Sequence, residues 1–259
     1  MEIGQQPMMQ SQESKKLNKS SVLTILLSLK AISFYFNSYH SNNLIDSRFV
    51  SLEDNNDISS LLDLLKKTLK EFNLSNVLKT KLIINNKLST LVPNELYNET
   101  LNKDYLKYNC DLIDNDTTSI DEIIELDIKN IYVPFENINN FLIEVFGSFD
   151  FFHFSSIFIK KTFNKITCEK CINFYVSPNN GLLNVIIYEG KKLIFSNIFD
   201  YSCKEDILYY ILFVVDNVKN VNEQSEISII SRKELFNEEI KYLSKFIKKL
   251  KIIDENILE

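Results

Sequence analysis

A mixed α/β fold of two lobes is predicted by three features of the 259-residue chain. Apolar segments of period two come in sets of three from residue 21 and again from residue 171, joined by short turns. Each set leads into a helix, a strand, a second helix and a last strand. This order of three antiparallel strands, helix, strand, helix, strand occurs twice, offset by about 150 residues, and implies an architectural duplication.

The first 20 residues are polar and lack apolar periodicity, which predicts a mobile tail. Lys15, Lys16 and Lys19 before "VLTILLSL" look like the start of a secretory leader. Lys30 interrupts that run, however, and it alternates onward into "ISFYFNS" as a strand would. Segments 21–29, 32–38 and 44–51 read as strands, with the first turn over Leu29, Lys30, Ala31 and Ile32. In "DISSLLDLLKKTLKEFN" the apolar Ile58, Leu61, Leu62, Leu65, Leu69 and Phe72 follow helical spacing, with Asp57 as N-cap. "KTKLIINN" and "STLVP" read as short strands, and Pro93 opens a helix through "NELYNETLNKDYLKY". "CDLIDNDTTSIDEIIELD" reads as an acidic connector whose Asp114, Asp116, Asp121 and Glu122 are solvated. "IKNIYVPF" then reads as a strand and "NINNFLIEVF" as a helix closed by Gly147.

In the second half, 171–177, 182–189 and 191–199 read as three strands joined by "PNNG" and by a turn at Gly190. "CKEDILYYILFVVDNVKN" is apolar nearly all round at its middle, which predicts a helix sandwiched against a sheet. "EISIIS", "KELFNEEIKYLSKFIKK" and "LKIID" complete the set as strand, helix and strand. The predicted layout is a tail over 1–20, a first domain over 21–168 and a smaller second domain over 169–259.

Composition narrows the function classes. A formal net charge of −6 argues against a general nucleic-acid binder, because phosphate affinity comes from clustered Lys and Arg that release counterions. Cys110, Cys168, Cys171 and Cys203 are too few and scattered for a disulfide scaffold, which points to a reducing cytoplasm. The apolar run 207–215 is far short of the ~20 residues that span a bilayer, so no membrane association is expected.

Two such units side by side describe the actin-like superfamily of sugar kinases and heat-shock proteins, in which ribonuclease-H-like domains flank a nucleotide cleft. "SVLTILLSLKAISFYFNS", "TLVPNELYNE" and "KKLIFSNIFDYSCKEDILYYILFVVDNV" resemble a family of uncharacterised Bacteroidetes proteins with an actin-like ATPase fold. The resemblance runs from about Ser21 onward. It implies two ribonuclease-H-like domains in actin-like arrangement and carries no activity with it.

The superfamily resemblance also locates the residues to inspect. Such enzymes place a phosphate turn in the first hairpin of each domain, where an Asp organises a metal and glycine admits backbone N–H groups to phosphate. Here the first turn reads Lys30-Ala31-Ile32-Ser33 and the second Pro178-Asn179-Asn180-Gly181. Neither holds a carboxylate, and the adenosine segment, normally glycine-rich, reads Ile229-Ile230-Ser231-Arg232-Lys233. With four glycines in the chain, no phosphate-cradling loop can be assembled. Residues 21–29 lack the carboxylate that a ribonuclease-H-type nuclease needs for magnesium.

The expected function is therefore a non-catalytic binding or scaffold protein with protein partners, no cofactor and no metal. The alternative is a divergent Mg-ATP-binding protein, ATPase or kinase-like, using Lys30, Ser33 and Gly181. A third option is an RNA- or ribosome-associated accessory protein using Lys241, Lys245, Lys248 and Lys249 on the last helix, with Lys160, Lys161, Lys165 and Lys170 as a second cluster. Cys168-x-x-Cys171 precedes a strand rather than a helix, so structural or incidental cysteines are expected over redox or zinc use. His153, among aromatics, reads as a hydrogen-bonded core histidine, and His40 as solvated.

Overall fold

The computed structural model describes residues 20–52, 57–113, 116–222, 225–231, 233–254 and 258. The tail predicted over 1–20 lies outside these residues up to position 19, as do Asp114 and Arg232. Strands β1 (Ser21–Leu27), β2 (Ala31–Ser38) and β3 (Leu44–Ser51) lead into α1 (Ile58–Lys70) and β4 (Val77–Ile84). An insert follows: β5 (Ser89–Pro93), α2 (Asn102–Lys107), β6 (Ser119–Ile123) and β7 (Ile128–Tyr132). Then come α3 (Glu136–Phe146), β8 (Asp150–His153) and α4 (Phe154–Phe163). The second lobe comprises β9 (Ile172–Asn179), β10 (Leu182–Glu189), β11 (Lys192–Asp200), α5 (Lys204–Asn217), β12 (Ile227–Ser231), α6 (Lys233–Leu243) and β13 (Leu250–Asp254).

The two large sheets have one topology. The first is ordered β3-β2-β1-β4-β8 and the second β11-β10-β9-β12-β13, each with an antiparallel hairpin side and a parallel side. The insert forms its own sheet, β5-β7-β6, around a small core of Val92, Leu106, Ile131 and Val133.

Strict alternation divides each sheet between two cores. On β1, Leu23, Ile25 and Leu27 point to the outer face, packing with Leu61, Leu65, Ile138 and Leu142 of α1 and α3. On β10, Leu183, Val185 and Ile187 pack with Ile207, Ile211 and Val214 of α5. The intervening residues turn inward: Leu26 and Ile83 from one sheet and Tyr175, Ile186, Tyr188 and Ile230 from the other share one core with Phe154, Phe158 and Ile159 of α4. Helix α4 is thus a common filling between the two lobes. Burial on both faces explains the near-continuous apolar reading of the central strands.

Several expectations are corrected. The helix predicted from Pro93 breaks into 3₁₀ turns at 94–96 and 99–101 before α2, which begins only at Asn102. The acidic connector contains β6, and Asp121 is buried. Segment 150–163, which the sequence left without an element, forms β8 and α4. Helix α5 buries Ile207, Leu208, Ile211, Val214 and Val215, but Tyr209, Leu212 and Phe213 stay exposed, so it is covered on one side rather than sandwiched. Helix α6 stops at Leu243, leaving Lys241 on the helix and Lys245, Lys248 and Lys249 beyond it.

Candidate functional site

The two hairpin turns meet each other across the lobes. At β1–β2, Leu27 pairs with Ile32 and the Ser28 N–H donates to the Ala31 carbonyl, so the turn is Ser28-Leu29-Lys30-Ala31. This lies one residue earlier than predicted, and it places Ala31, Ile32 and Ser33 in strand β2. Neither central residue has positive φ, and the Ser28 Oγ holds the turn by accepting the N–H groups of Lys30 and Ala31, each at 3.3 Å. At β9–β10, Asn180 (φ 51°) and Gly181 (φ 78°) occupy the two central positions, the type I′ chemistry that Asn-Gly favours.

All three sequence-predicted site residues, Lys30, Ser33 and Gly181, come together here. The Ser28 Oγ donates to the Asn180 carbonyl at 3.1 Å, and the Ser33 Oγ to the Asn180 Oδ1 at 3.2 Å. The stem of Lys30 lies across Gly181 so closely that a Cβ at position 181 would stand 2.7 Å from the Lys30 Cδ. The Lys30 ammonium reaches Asp200 at 3.9 Å, and Lys87 is paired with the same carboxylate. Deeper in, the Asn184 Nδ2 of β10 donates to the Asn85 Oδ1 just past β4, at 3.3 Å.

Asp200, Lys87, Ser28 and Asn85 escaped sequence reasoning. The pairing of Lys87 with Asp200 spans 113 residues and leaves no local pattern. The Ser28 signal, a serine two residues before a turn lysine, was masked by the strand-like alternation around it.

A magnesium triphosphate does not fit this junction. It needs a metal-ligating carboxylate and open glycine amides beside the phosphates. Asp200 already faces two ammonium groups, and the Lys30 stem covers Gly181. Among the described residues, no group of three or more His, Cys, Asp or Glu could hold a metal ion.

A second polar cluster lies at the base of α4. The His153 Nδ1 accepts the Ser155 N–H at 3.2 Å and so caps the helix, while its Nε2 lies 3.2 Å from the Asn86 carbonyl. Burial pushes the imidazole down to about 4. Burial also pushes the Asp121 carboxyl up, against the pull of hydrogen bonds from Ser156, the His153 N–H and Tyr132 and of the Lys160 charge. His153 is thus the core histidine that its aromatic surroundings predict. Asp121 is no solvated connector residue.

Cys168 and Cys171, expected to be structural or incidental cysteines, form a disulfide. Their loop packs on the β10–β11 turn, the Gly190 N–H donating to the Cys171 carbonyl at 2.9 Å. A Cβ on Gly190 would lie 2.1 Å from the Glu169 carbonyl oxygen. Among the described residues no helix is long and apolar enough to cross a membrane.

The family model described as "Protein of unknown function (DUF3822)" matches residues 10–250, almost the whole chain. The chain belongs to this family. No curated protein matches it. Among solved structures it is similar to a protein with actin-like ATPase fold and unknown function from Bacteroides thetaiotaomicron, at 23% identity and TM-score 0.75, covering 92% of this chain and 93% of that one. It is also similar to the PilM–PilN type IV pilus biogenesis complex, at 8% identity and TM-score 0.58 over 90% of this chain and 88% of that one. The ethanolamine utilization protein EutJ from Carboxydothermus hydrogenoformans follows at 8% identity and TM-score 0.50, over 93% and 88%. The DUF3822 chain therefore has the actin-like ATPase fold.

Proposed function

We propose that this chain is a non-catalytic binding or scaffold protein that keeps an actin-like architecture without its nucleotide chemistry. The observation that carries this is the direct contact of the two hairpins: Lys30 over Gly181, Asn180 bound by Ser28 and Ser33, and Asp200 between two lysines. A phosphate entering there would have to break four hydrogen-bonded or ionic contacts and would face a carboxylate. That the similar PilM is described in a complex with PilN favours protein partners over small substrates. On this reading the lobes divide at 168–169 and the protein works in the cytoplasm. Cys168 and Cys171 would rest there as thiols, with the disulfide as their oxidised form.

Thermal unfolding with and without Mg-ATP tests the reading. A ligand at a hundredfold its dissociation constant stabilises by about 2.7 kcal/mol, which is a rise of roughly 5–10 °C for a chain of this size. No rise is expected. A rise of that size that Lys30→Ala or Ser33→Ala abolishes would replace this reading with a divergent ATP-binding protein.

A further inference from the structure

Beside the closed junction a groove of about 710 Å³ runs between the second lobe and the insert. One wall is six consecutive residues of β11, Leu193–Ile198, and the other includes Ser89, Thr90 and Leu91 of β5. Both are edge strands: among the described residues β11 pairs only with β10, and β5 only with β7. Asn130 and Ser155 also line it.

The outward edge of β11 follows from its register. The Tyr201 N–H donates to the Gly181 carbonyl, and Leu182 is opposite Asp200, so bonding pairs alternate to Phe199, Asn197 and Phe195. Ser196 and Ile198 therefore turn their main-chain groups away from β10. The Ile198 N–H donates instead to the neighbouring Asn197 Oδ1, at 2.8 Å, which agrees with that assignment. An exposed run of such groups is a template for a further strand.

A second observation points to a ligand. Asn130 is fully buried, and its Nδ2 donates to the Ser156 Oγ at 2.9 Å, yet its Oδ1 has no hydrogen-bond partner. An orphaned buried acceptor costs about 1–3 kcal/mol, and a donor brought into the groove would remove that cost. Charge defines the occupant further. Among the described residues of the lining, Lys87 is the one charged side chain, and Asp200 already neutralises it.

We propose that this groove binds an uncharged, extended segment of a partner protein, which adds as a strand to the free edge of β11 and offers a donor to Asn130. The proposal rests on the protein-binding reading above and gives it a site and a ligand chemistry. Six residues of β11 at ~3.3 Å each set a segment of about six residues, near 20 Å long.

The test pans a phage-displayed library of random seven-residue peptides on the immobilised full chain. The enriched peptide is then synthesised with a fluorophore and titrated by anisotropy. Uncharged sequences of period two are expected. Ser196→Pro removes one outward N–H without touching the ladder to β10, and edge strands tolerate proline; it should weaken binding at least tenfold. Should that variant fail to fold, the same peptide N-methylated at alternate residues on native protein gives the same reading, with binding lost in one of the two registers. Failure to enrich any peptide above an albumin-coated control overturns the proposal. So does enrichment of charged or helix-patterned peptides, equal binding by Ser196→Pro, or a dimer of the chain that this variant abolishes. Stabilisation by Mg-ATP would defeat the non-catalytic reading without bearing on the peptide titration, so the two failures are separable.

Discussion

The lobes share a strand order but solve their first turn with different chemistry. The second lobe uses Asn180-Gly181, whose positive φ values suit a tight hairpin. The first uses Leu29-Lys30 at negative φ, held by the Ser28 Oγ. The difference shows what the first turn contributes: a hydroxyl for its own amides and for the Asn180 carbonyl, and a lysine stem that lies on Gly181. One turn is built from backbone freedom. Its counterpart is built from side chains and closes over it. The lobes differ again after the fourth strand, where the first carries the β5–β7 insert and the second proceeds directly to α6.

The comparison is broken most severely by removing what the lobes have in common. Phe158→Ala in α4 empties part of the shared inner core and should cost about 3–5 kcal/mol, read as a lower urea midpoint. A much smaller loss would mean that the inner faces do not depend on α4.

Acid should weaken the first lobe through the cap of α4. His153 is held neutral, at about 4 against 6.5, so as pH falls below 6.5 the unfolded chain takes up a proton that the folded one refuses. Stability is then lost between pH 6.5 and 4, by at most ~3 kcal/mol, and protonation at Nδ1 also removes the acceptor for the Ser155 N–H. Asp121 acts in the opposite sense: its raised value lets the folded carboxyl bind a proton before the unfolded one. Urea midpoints across this range should fall with pH in the native chain and lose that slope in His153→Gln.

The contact of the turns is sharpened by a double-mutant cycle. Gly181→Ala meets both a positive φ and the Lys30 Cδ, at a cost of about 2 kcal/mol. Lys30→Gly should recover the steric part and leave the conformational part, giving a measurable coupling. Additive costs would mean that the turns do not touch in solution. The smallest effect belongs to Asp200→Asn. Its partners are about one-third to one-half exposed, so stability should change by less than ~1 kcal/mol. Inorganic triphosphate, followed by calorimetry, should nonetheless bind the variant more tightly than the native chain, because two ammonium groups lose their counter-charge.

Patterns confined to a few residues were legible in the sequence. The Asp57 cap, which accepts the Ser60 N–H at 2.8 Å, the Asn180-Gly181 turn and the Gly147 helix end each depend on neighbours within four positions. The strand sets of both lobes were legible because burial on both faces makes the central strands short apolar runs, and turns divide those runs. Helix α4 was not: six of its ten residues are buried, so no polar stripe marks it, and the strand before it has only four residues. The insert failed for another reason. Its 3₁₀ turns are tied by the Tyr105 hydroxyl, which donates to the Leu96 carbonyl and accepts the Asn98 N–H, contacts without a helical period. Of the site, Lys30, Ser33 and Gly181 came from resemblance to a phosphate turn, whereas Asp200 and Lys87 join through space alone.

Helix α4 also bears on motion. Two lobes that meet only at a hinge can open and shut around a ligand, as domain-closing proteins do. Here Phe154, Phe158 and Ile159 are interleaved with both sheets, and Thr162 and the Ile159 carbonyl are tied to the Tyr188 hydroxyl of the second lobe. A wedge so placed ties the halves together: changing the angle between them would first have to unpack these rings and break the bonds to Tyr188.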